Sequence, residues 1–510
     1  MRHAWSHAGR WVADWFREMP PEWVRENTFL LGPVPISKRE DQGNVAIIGG
    51  IGSGKTSLLE VHMDSLFKHI PDWMTVVNGW VGDPKNDLFP LLSQKGLPLK
   101  VISAHVLDRD GWAWRMWEDL TDPVAAEQFA YDLLPDERGG GENNKFFTEA
   151  PRHIFAGVVR TLVRLGRPWT LRQAWHFAMD ELYARQLFEM SSEPEVRARL
   201  ALLDREQGTA KANIHSSLLT KLGNVAMYAA LMDRCTRTYS IKRLVRGEQV
   251  FVLGSDFRFG HILSPMNNVL LSLIKRELIA QGNSRTRRHY VLVDEFPKLN
   301  NQTPAEEFPD FCELGRSRGV RVVIVIHSPQ QLVKLYGAEG ADIILGQCQH
   351  KLILKKGDFA GAQYCSNLLG RVHRYEWVQN RSYGGSTTYT PQGPTTSWTW
   401  GHGASEVYAD RPLVPPDVLM DQEQASRRRG FRGYGISPAL PRTKRFAFFA
   451  GRDWLARHLS DVDTSLAVDA NDELKPFPNP RPAGEQRLRP LEPTEVEGFG
   501  LVFNPDGYRP

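Results

Sequence analysis

Short apolar runs recur along this chain of 510 residues, and each has the length of a buried strand. The runs read NVAII at 44–48, EQVFVL at 248–253, HYVLV at 289–293, VRVVIVI at 320–326 and QHKLIL at 349–354. Continuous apolar strands, rather than alternating ones, are typical of a parallel sheet covered on both faces. Helical stretches separate the runs, so the pattern predicts an α/β fold with a mostly parallel central sheet.

A long stretch between the early and late strands has its apolar residues at helical spacing. DPVAAEQFAYDLLP at 122–135 and NIHSSLLTKLGNVAMYAALMD at 213–233 are two examples. An apolar residue every three or four positions indicates a helix with a buried face. We therefore predict an all-helical subdomain, residues 105–239, inserted into a sheet domain formed by residues 39–104 and 240–455.

The N-terminal residues 1–38 are predicted to form an amphipathic segment. The residues near one helical face are Trp5, Ala8, Trp11, Val12, Trp15 and Phe16. Such a helix can lie at a membrane interface, dock on a partner or pack on its own domain, and the pattern leaves these alternatives open.

Two further stretches carry little periodicity. Residues 380–405 are rich in Gly, Ser, Thr and aromatic residues, which predicts a flexible insertion whose rings can stack on single-stranded bases. Residues 456–510 are rich in proline and are predicted to be an extended or disordered tail.

Composition narrows the class of protein. A formal net charge of +4 permits a nucleic-acid partner without requiring one. The four cysteines are not spaced like a zinc site or a redox pair, and no apolar run approaches the roughly 18 residues of a membrane span. No signal-peptide core is present. We expect no transmembrane segment and a cytoplasmic protein, at most peripheral at the inner face of the cytoplasmic membrane.

A phosphate-binding loop follows the first strand. The residues Gly49, Gly50, Ile51, Gly52, Ser53, Gly54, Lys55 and Thr56 fit G-x-x-x-x-G-K-[ST] at every defined position. Glycines let backbone N–H groups approach phosphates, and the following helix N-terminus favours anions. Lys55 is predicted to bind the β- and γ-phosphates of ATP, and Thr56 to bind Mg²⁺. The predicted nucleotide-binding residues are Gly49, Gly50, Gly52, Ser53, Gly54, Lys55, Thr56 and Ser57.

An acid pair ends the strand at 289–293. Asp294 and Glu295 follow its last apolar residue, at the edge where ligands lie in open α/β sheets. We assign Asp294 to Mg²⁺, through water, and Glu295 to the attacking water.

Several motifs in one order resemble the type IV secretion coupling proteins, the TraG/TraD-like conjugation ATPases. They are GDPKND at 82–87, KFFTEAPRHIF at 145–155, DEF at 294–296, LGRSRGVRVVIVIHSPQQLVKLYG at 314–337, RPLVPPDVL at 411–419 and RRRGFRGYGISP at 427–438. The resemblance covers roughly residues 44–453. It implies a RecA-like P-loop fold, a homo-hexameric ring, and ATP-driven delivery of DNA, single-stranded or bound to a relaxase, to a secretion channel or membrane-anchored partner.

The resemblance also assigns two further residues. Arg316 matches the family's arginine in GRSRG, and in a ring it can reach the neighbouring subunit's ATP, with Arg318 as the rival candidate. His327 stands where the family has a glutamine that senses the γ-phosphate, so hydrolysis or its coupling can differ here. Family members usually begin with transmembrane helices, and we expect no counterpart of those helices in this chain.

We therefore predict a DNA-translocating ATPase, a coupling protein that recruits DNA or a relaxase–DNA complex to a type IV secretion apparatus. One alternative is a HerA- or FtsK-like translocase of double-stranded DNA. Another is an adaptor that ATP switches, which recruits cargo with little turnover.

Overall fold

A computed structural model describes residues 28–37, 43–67, 77–83, 88–94, 100–107, 111–135, 142–204, 209–247, 249–254, 256–284, 287–299, 307–439, 445–459, 466–468, 474–476 and 487–505. The predicted amphipathic face of residues 5–16 and the Pro84–Asp87 part of GDPKND lie outside the described residues.

The strands follow one another along the whole chain. They are β1 (Thr28–Leu31), β2 (Val34–Ser37), β3 (Val45–Ile48), β4 (Val77–Asp83), β5 (Lys100–Ser103), β6 (Trp112–Trp114), β7 (Arg237–Tyr239), β8 (Gln249–Gly254), β9 (Arg288–Val293), β10 (Val320–Ile326), β11 (His350–Leu354), β12 (Arg371–Thr390), β13 (Gly393–Pro412), β14 (Phe431–Ile436), β15 (Arg445–Ala450), β16 (Leu466–Val468) and β17 (Leu474–Pro476).

The helices cluster between β6 and β7 and alternate with strands elsewhere. They are α1 (Lys55–Phe67), α2 (Leu88–Gln94), α3 (Met116–Asp119), α4 (Pro123–Leu133), α5 (Glu142–Leu165), α6 (Leu171–Met179), α7 (Glu181–Met190), α8 (Pro194–Arg197), α9 (Leu200–Leu203), α10 (Thr209–Met232), α11 (Ile241–Leu244), α12 (Gly260–Ala280), α13 (Phe296–Leu299), α14 (Glu307–Gly315), α15 (Pro329–Gln347), α16 (Phe359–Leu369), α17 (Pro416–Met420), α18 (Arg452–His458) and α19 (Pro493–Glu497).

Nine described strands form one sheet in the order β15-β14-β11-β3-β10-β9-β4-β8-β5. The seven strands from β11 to β5 are parallel, whereas β14 and β15 are antiparallel at one edge. The predicted mostly parallel α/β sheet is therefore confirmed. Since β3, β9 and β10 are parallel, their carboxyl ends lie on the same side of the sheet, and the residues that follow them are brought together.

Both faces of the sheet are covered by apolar packing. Val323 and Val325 of β10 lie in one buried cluster, with Leu58 and Leu59 of α1. Val322 and Ile324 lie in a second cluster that extends into the helical region. Because successive strand residues point to opposite faces, both faces need apolar side chains, which explains the continuous apolar run at 320–326.

The helical region α4–α10 lies between β6 and β7, within the stretch where the spacing predicted helices. The predicted subdomain, residues 105–239, is nevertheless not all-helical, because β6 and β7 lie within it and pair with each other in parallel. In the described part of the chain, no helix is long and apolar enough to cross a bilayer.

The beginning of the chain contributes to the sheet domain. Residues 28–37, which belong to the segment predicted to be amphipathic, form the antiparallel pair β1–β2. Leu31, Val34 and Ile36 are buried in the same cluster as α1. This part of the segment is therefore an apolar hairpin and not an amphipathic helix.

The predicted flexible insertion, residues 380–405, is instead the outer part of a long hairpin. Strands β12 and β13 pair antiparallel over their whole length, from Arg371 with Pro412 to Thr390 with Gly393. We call residues 371–412 the ribbon. Its β-branched threonines and aromatic residues suit paired strands, whereas its glycines and serines suggested a loop.

The prediction of a disordered tail is wrong for residues 487–505, which we call the C-terminal strap. Its apolar side chains are buried against the helical region: Leu488, Leu491, Val496, Phe499 and Leu501. Their spacing is irregular because the strap contains only one short helix, α19, so no period marked it in the sequence.

Candidate active site

The phosphate loop joins the end of β3 to the start of α1. Gly52 and Gly54 adopt positive φ angles of +66° and +96°, which favour glycine. A Cβ on Gly54 would also come within 2.9 Å of the Phe431 ring. Both glycines are therefore required by the shape of the loop.

Neighbouring strands hold the loop in place. The N–H of Gly49 donates to the carbonyl of Ile326 at 3.1 Å, and that of Gly50 to the carbonyl of Lys355 at 2.6 Å. The N–H groups of Lys55, Thr56 and Ser57 begin α1, and such N–H groups have no acceptor within their own helix. They can bind a phosphate, and so the loop fits the polyphosphate that its sequence predicts.

A chain of polar contacts links the loop to the acid pair. The Nζ of Lys55 donates to the carbonyl of Gly50 at 2.8 Å and lies 3.0 Å from Nδ1 of His327. The Nε2 of His327 lies 3.5 Å from Oε1 of Glu295. An ammonium group only donates, so Nδ1 of His327 accepts from Lys55 and Nε2 is the ring nitrogen that faces Glu295.

The acid pair sits in a constrained backbone turn. Asp294 and Glu295 are both buried. The N–H of Glu295 donates to Oδ1 of Asp294 at 3.0 Å. Among the described residues, Glu295 is the one non-glycine residue with positive φ, +48°. Such strain persists where the surrounding structure imposes it, often at functional sites, and here it accompanies the Glu295 carboxylate beside His327.

The remaining predicted loop residues differ in exposure. Thr56 is exposed and Ser57 half-buried, whereas Ser53 is buried. A Cβ on Gly49 would meet the Ser53 Oγ at 2.4 Å, so Ser53 packs within the loop. Thr56 therefore has the accessible hydroxyl that a Mg²⁺ ligand needs, and buried Asp294 offers a carboxylate at the same edge of the sheet.

Sequence reasoning missed Lys356, Gln424 and Phe431. The buried ammonium of Lys356 donates to the carbonyl of His327, and burial lowers the pKa of Lys356. Gln424 and Phe431 lie against Gly52 and Gly54 of the loop. The sequence offered a signal for Phe431 in RRRGFRGYGISP, one of the motifs that carry the family resemblance.

Arg316 lies at the opposite end of the strands from the phosphate loop, just before the first residue of β10. Its side chain is exposed and lines a cavity of about 820 Å³ with Arg288 and Arg321. The seven residues of β10 extend over roughly 20 Å, and His327 follows their far end. Arg316 therefore does not approach Lys55 of its own chain.

Comparisons with known proteins agree with this architecture. Residues 28–397, more than half of the chain, match the family model of the type IV secretion-system coupling protein DNA-binding domain. The coupling protein TraD of Escherichia coli (strain K12) is 19% identical over 369 residues, which are 71% of this chain and 48% of TraD. The chain thus spans about half the length of this curated relative.

Two solved structures of the plasmid coupling protein TrwB have the same fold. The complex with ADP and Mg²⁺ is 16% identical, with a TM-score of 0.58 over 88% of this chain and 94% of that chain. The complex with the GTP analogue GDPNP is 15% identical, with a TM-score of 0.57 over 85% and 93%. At this identity the similarity establishes the fold alone.

Proposed function

The chain belongs to the family of the type IV secretion-system coupling protein DNA-binding domain, and we propose that it is an ATPase that moves DNA toward a secretion apparatus. The observation that carries the proposal is the contact chain from Lys55 through His327 to Glu295. It places a phosphate-binding cation and a buried carboxylate on either side of one imidazole.

The residues divide the chemistry among them. When bound, ATP would supply the phosphoanhydride bond that is cleaved, and Mg²⁺ would neutralise the charge of the phosphates. Thr56 and Asp294 would hold the metal, and Lys55 would bind the phosphates. Glu295 would orient the attacking water and accept its proton, and His327 would fix the positions of Lys55 and Glu295 through its two ring nitrogens.

We further propose that Arg316 acts on the ATP of a neighbouring subunit in a ring, which we expect to be a hexamer. Support comes from its position roughly 20 Å from its own phosphate loop, as judged from the length of β10. The Arg318 guanidinium instead donates to the carbonyl of Gln281 at 2.9 Å, which gives Arg318 a structural role.

The test is ATP turnover by the purified chain, alone and with single- or double-stranded DNA. Stimulation by DNA that Lys55→Ala abolishes supports a motor, and a strict preference for duplex DNA would favour the double-stranded translocase instead. Glu295→Gln should bind ATP without turnover. If it retained cargo recruitment in full, the adaptor alternative would replace the motor.

Mixing variants tests the action of Arg316 in trans. Arg316→Ala and Lys55→Ala should each be inactive, with turnover reduced roughly 10³-fold or more, yet their mixture should recover activity. Mixed rings would contain interfaces with an intact Lys55 on one subunit and an intact Arg316 on the next. Arg318→Ala is the matched control and should keep its turnover. A mixture as inactive as its components would exclude the trans role.

A further inference from the structure

The ribbon carries its exposed aromatic side chains on one face. In its antiparallel register Tyr375 pairs with Tyr408, and Tyr383 with Trp400. Successive strand residues alternate between faces, so odd positions of β12 share a face with even positions of β13. We call this the aromatic face, and its members are Tyr375, Tyr383, Tyr389, Trp398, Trp400 and Tyr408.

These rings are open to solvent. Their side chains are between 57% and 83% exposed, the largest value belonging to Tyr389 near the turn. Tyr383 and Trp400 contact each other edge to face, with centroids 4.7 Å apart. A two-stranded hairpin with an uncovered face is marginally stable in water, and exposed apolar patches of this kind mark interaction surfaces.

The composition of residues 382–405, which we call the outer ribbon, limits the kinds of partner that can cover it. The outer ribbon contains no Lys, Arg, Asp or Glu. Sites for single-stranded nucleic acid combine aromatic rings with cations that follow the phosphates, so this surface lacks half of such a site.

The same stretch also lacks Leu, Ile, Val, Met and Phe. Its large side chains are tyrosine and tryptophan, which have an apolar body and a polar tip. The boundary between lipid and water suits such side chains, because it buries the ring and solvates the tip. Protein interfaces also draw on Phe, Met and Arg, which this stretch lacks.

We propose that the outer ribbon lies on a lipid bilayer, with the aromatic face in the interfacial layer. The opposite face of the same stretch presents serine, threonine and glycine to water; Ser386 and Ser397 bond there across the strands at 2.9 Å. The open edges of a two-stranded ribbon need water for their backbone groups, so the ribbon rests at the surface and does not span the membrane.

Flotation of the full chain with vesicles of phosphatidylcholine alone tests this. The wild type should float with these neutral vesicles, and raising the salt to about 0.5 M should not release it, since no ion pairing is involved. The double variant Trp398→Ala/Trp400→Ala should bind roughly tenfold or more weakly. The control Thr395→Ala/Thr399→Ala, on the opposite face of the same strand, should bind like the wild type.

The other outcomes overturn the proposal. Absence of flotation, or equal flotation of the tryptophan variant, would exclude the aromatic face. Binding only to anionic vesicles, lost in salt, would indicate the arginine-rich surfaces. If the tryptophan variant lost self-association or binding to single-stranded DNA instead, a second copy or nucleic acid would be the occupant. Lys55→Ala should still float, which separates this test from that of ATP hydrolysis.

Discussion

The C-terminal strap and the ribbon both lack a regular spacing of large apolar residues in their sequences, but the environments of those side chains are opposite. The strap buries leucine, valine and phenylalanine side chains in the helical region, and the ribbon leaves tyrosine and tryptophan rings in solvent. The strap is therefore part of the folded core, and the ribbon is a surface that the described part of the chain does not cover.

Polar contacts strengthen the same contrast. The buried guanidinium of Arg172 donates to the carbonyl of Pro490 at 3.0 Å and pairs with Glu495. His176 Nε2 lies 2.9 Å from the carbonyl of Arg489. The strap thus satisfies buried polar groups of α6, whereas the polar contacts of the outer ribbon join its own two strands.

The largest expected effect comes from removing a buried ring of the strap. Phe499 is buried and meets Phe177 edge to face, with centroids 5.6 Å apart. Phe499→Ala should lower the free energy of unfolding by about 3 kcal/mol, because it loses apolar burial and leaves a cavity. Denaturant unfolding measures this. Val502→Ala, at a 70% exposed position of the same strap, is the control, and equal effects of the two variants would mean that the strap is not docked.

Neutralising Glu495 should have a smaller effect. Burial of the carboxyl raises the pKa of Glu495, but the backbone N–H of Glu492 and the Arg172 guanidinium outweigh burial and hold that pKa below its usual value. Glu495→Gln should cost about 1 kcal/mol, since the partly exposed carboxylate loses its charge but the glutamine keeps a hydrogen bond, and the buried Arg172 still pairs with Asp233. Denaturant unfolding of this variant and of the control Glu497→Gln, at an exposed position, checks the prediction. Equal stabilities of the two variants would mean that the pair with Arg172 does not stabilise the strap.

Acid should loosen the strap further, in two steps. Burial lowers the pKa of His176 from 6.5, so the unfolded chain takes up a proton at a pH where the folded chain does not. The contribution of neutral His176 to the free energy of unfolding is fully present above about pH 6.5. Below that pH the free energy of unfolding falls by at most about 1.4 kcal/mol per pH unit. The lowered pKa of Glu495 adds a loss below about pH 4.5, its ordinary value.

The measurement is the denaturant midpoint of the wild type and of His176→Gln between about pH 7.5 and 5.5. The substitution should flatten the first step, because glutamine does not titrate. Parallel curves for the two proteins would assign the acid sensitivity to other groups.

The smallest effect is expected on the ribbon. Trp398→Ala should change the free energy of unfolding by less than about 0.5 kcal/mol, because the ring is 71% exposed. The same unfolding experiment checks it. A loss close to that of Phe499→Ala would show that the chain itself covers the ribbon, and the contrast with the strap would disappear.

Much of the site was open to prediction because its signals are local. The loop 49–56, its helix and the acid pair at 294–295 each lie within a few residues, and strand hydrophobicity places them at one edge of a parallel sheet. The one-sided ribbon was predictable in principle, since within each strand its exposed aromatic residues are an even number of positions apart, but its Gly and Ser content suggested a loop instead.

By itself, then, the sequence determined the parallel sheet, the helical region and the phosphate loop, because periodicity and glycine chemistry act over short stretches. Only the tertiary structure decided that His327 bridges Lys55 and Glu295, residues 272 and 32 positions away along the chain. It also decided that Arg316 lies away from its own loop and that the strap docks on α6. Such contacts depend on strand order and on the shape of a distant surface, which no local pattern encodes.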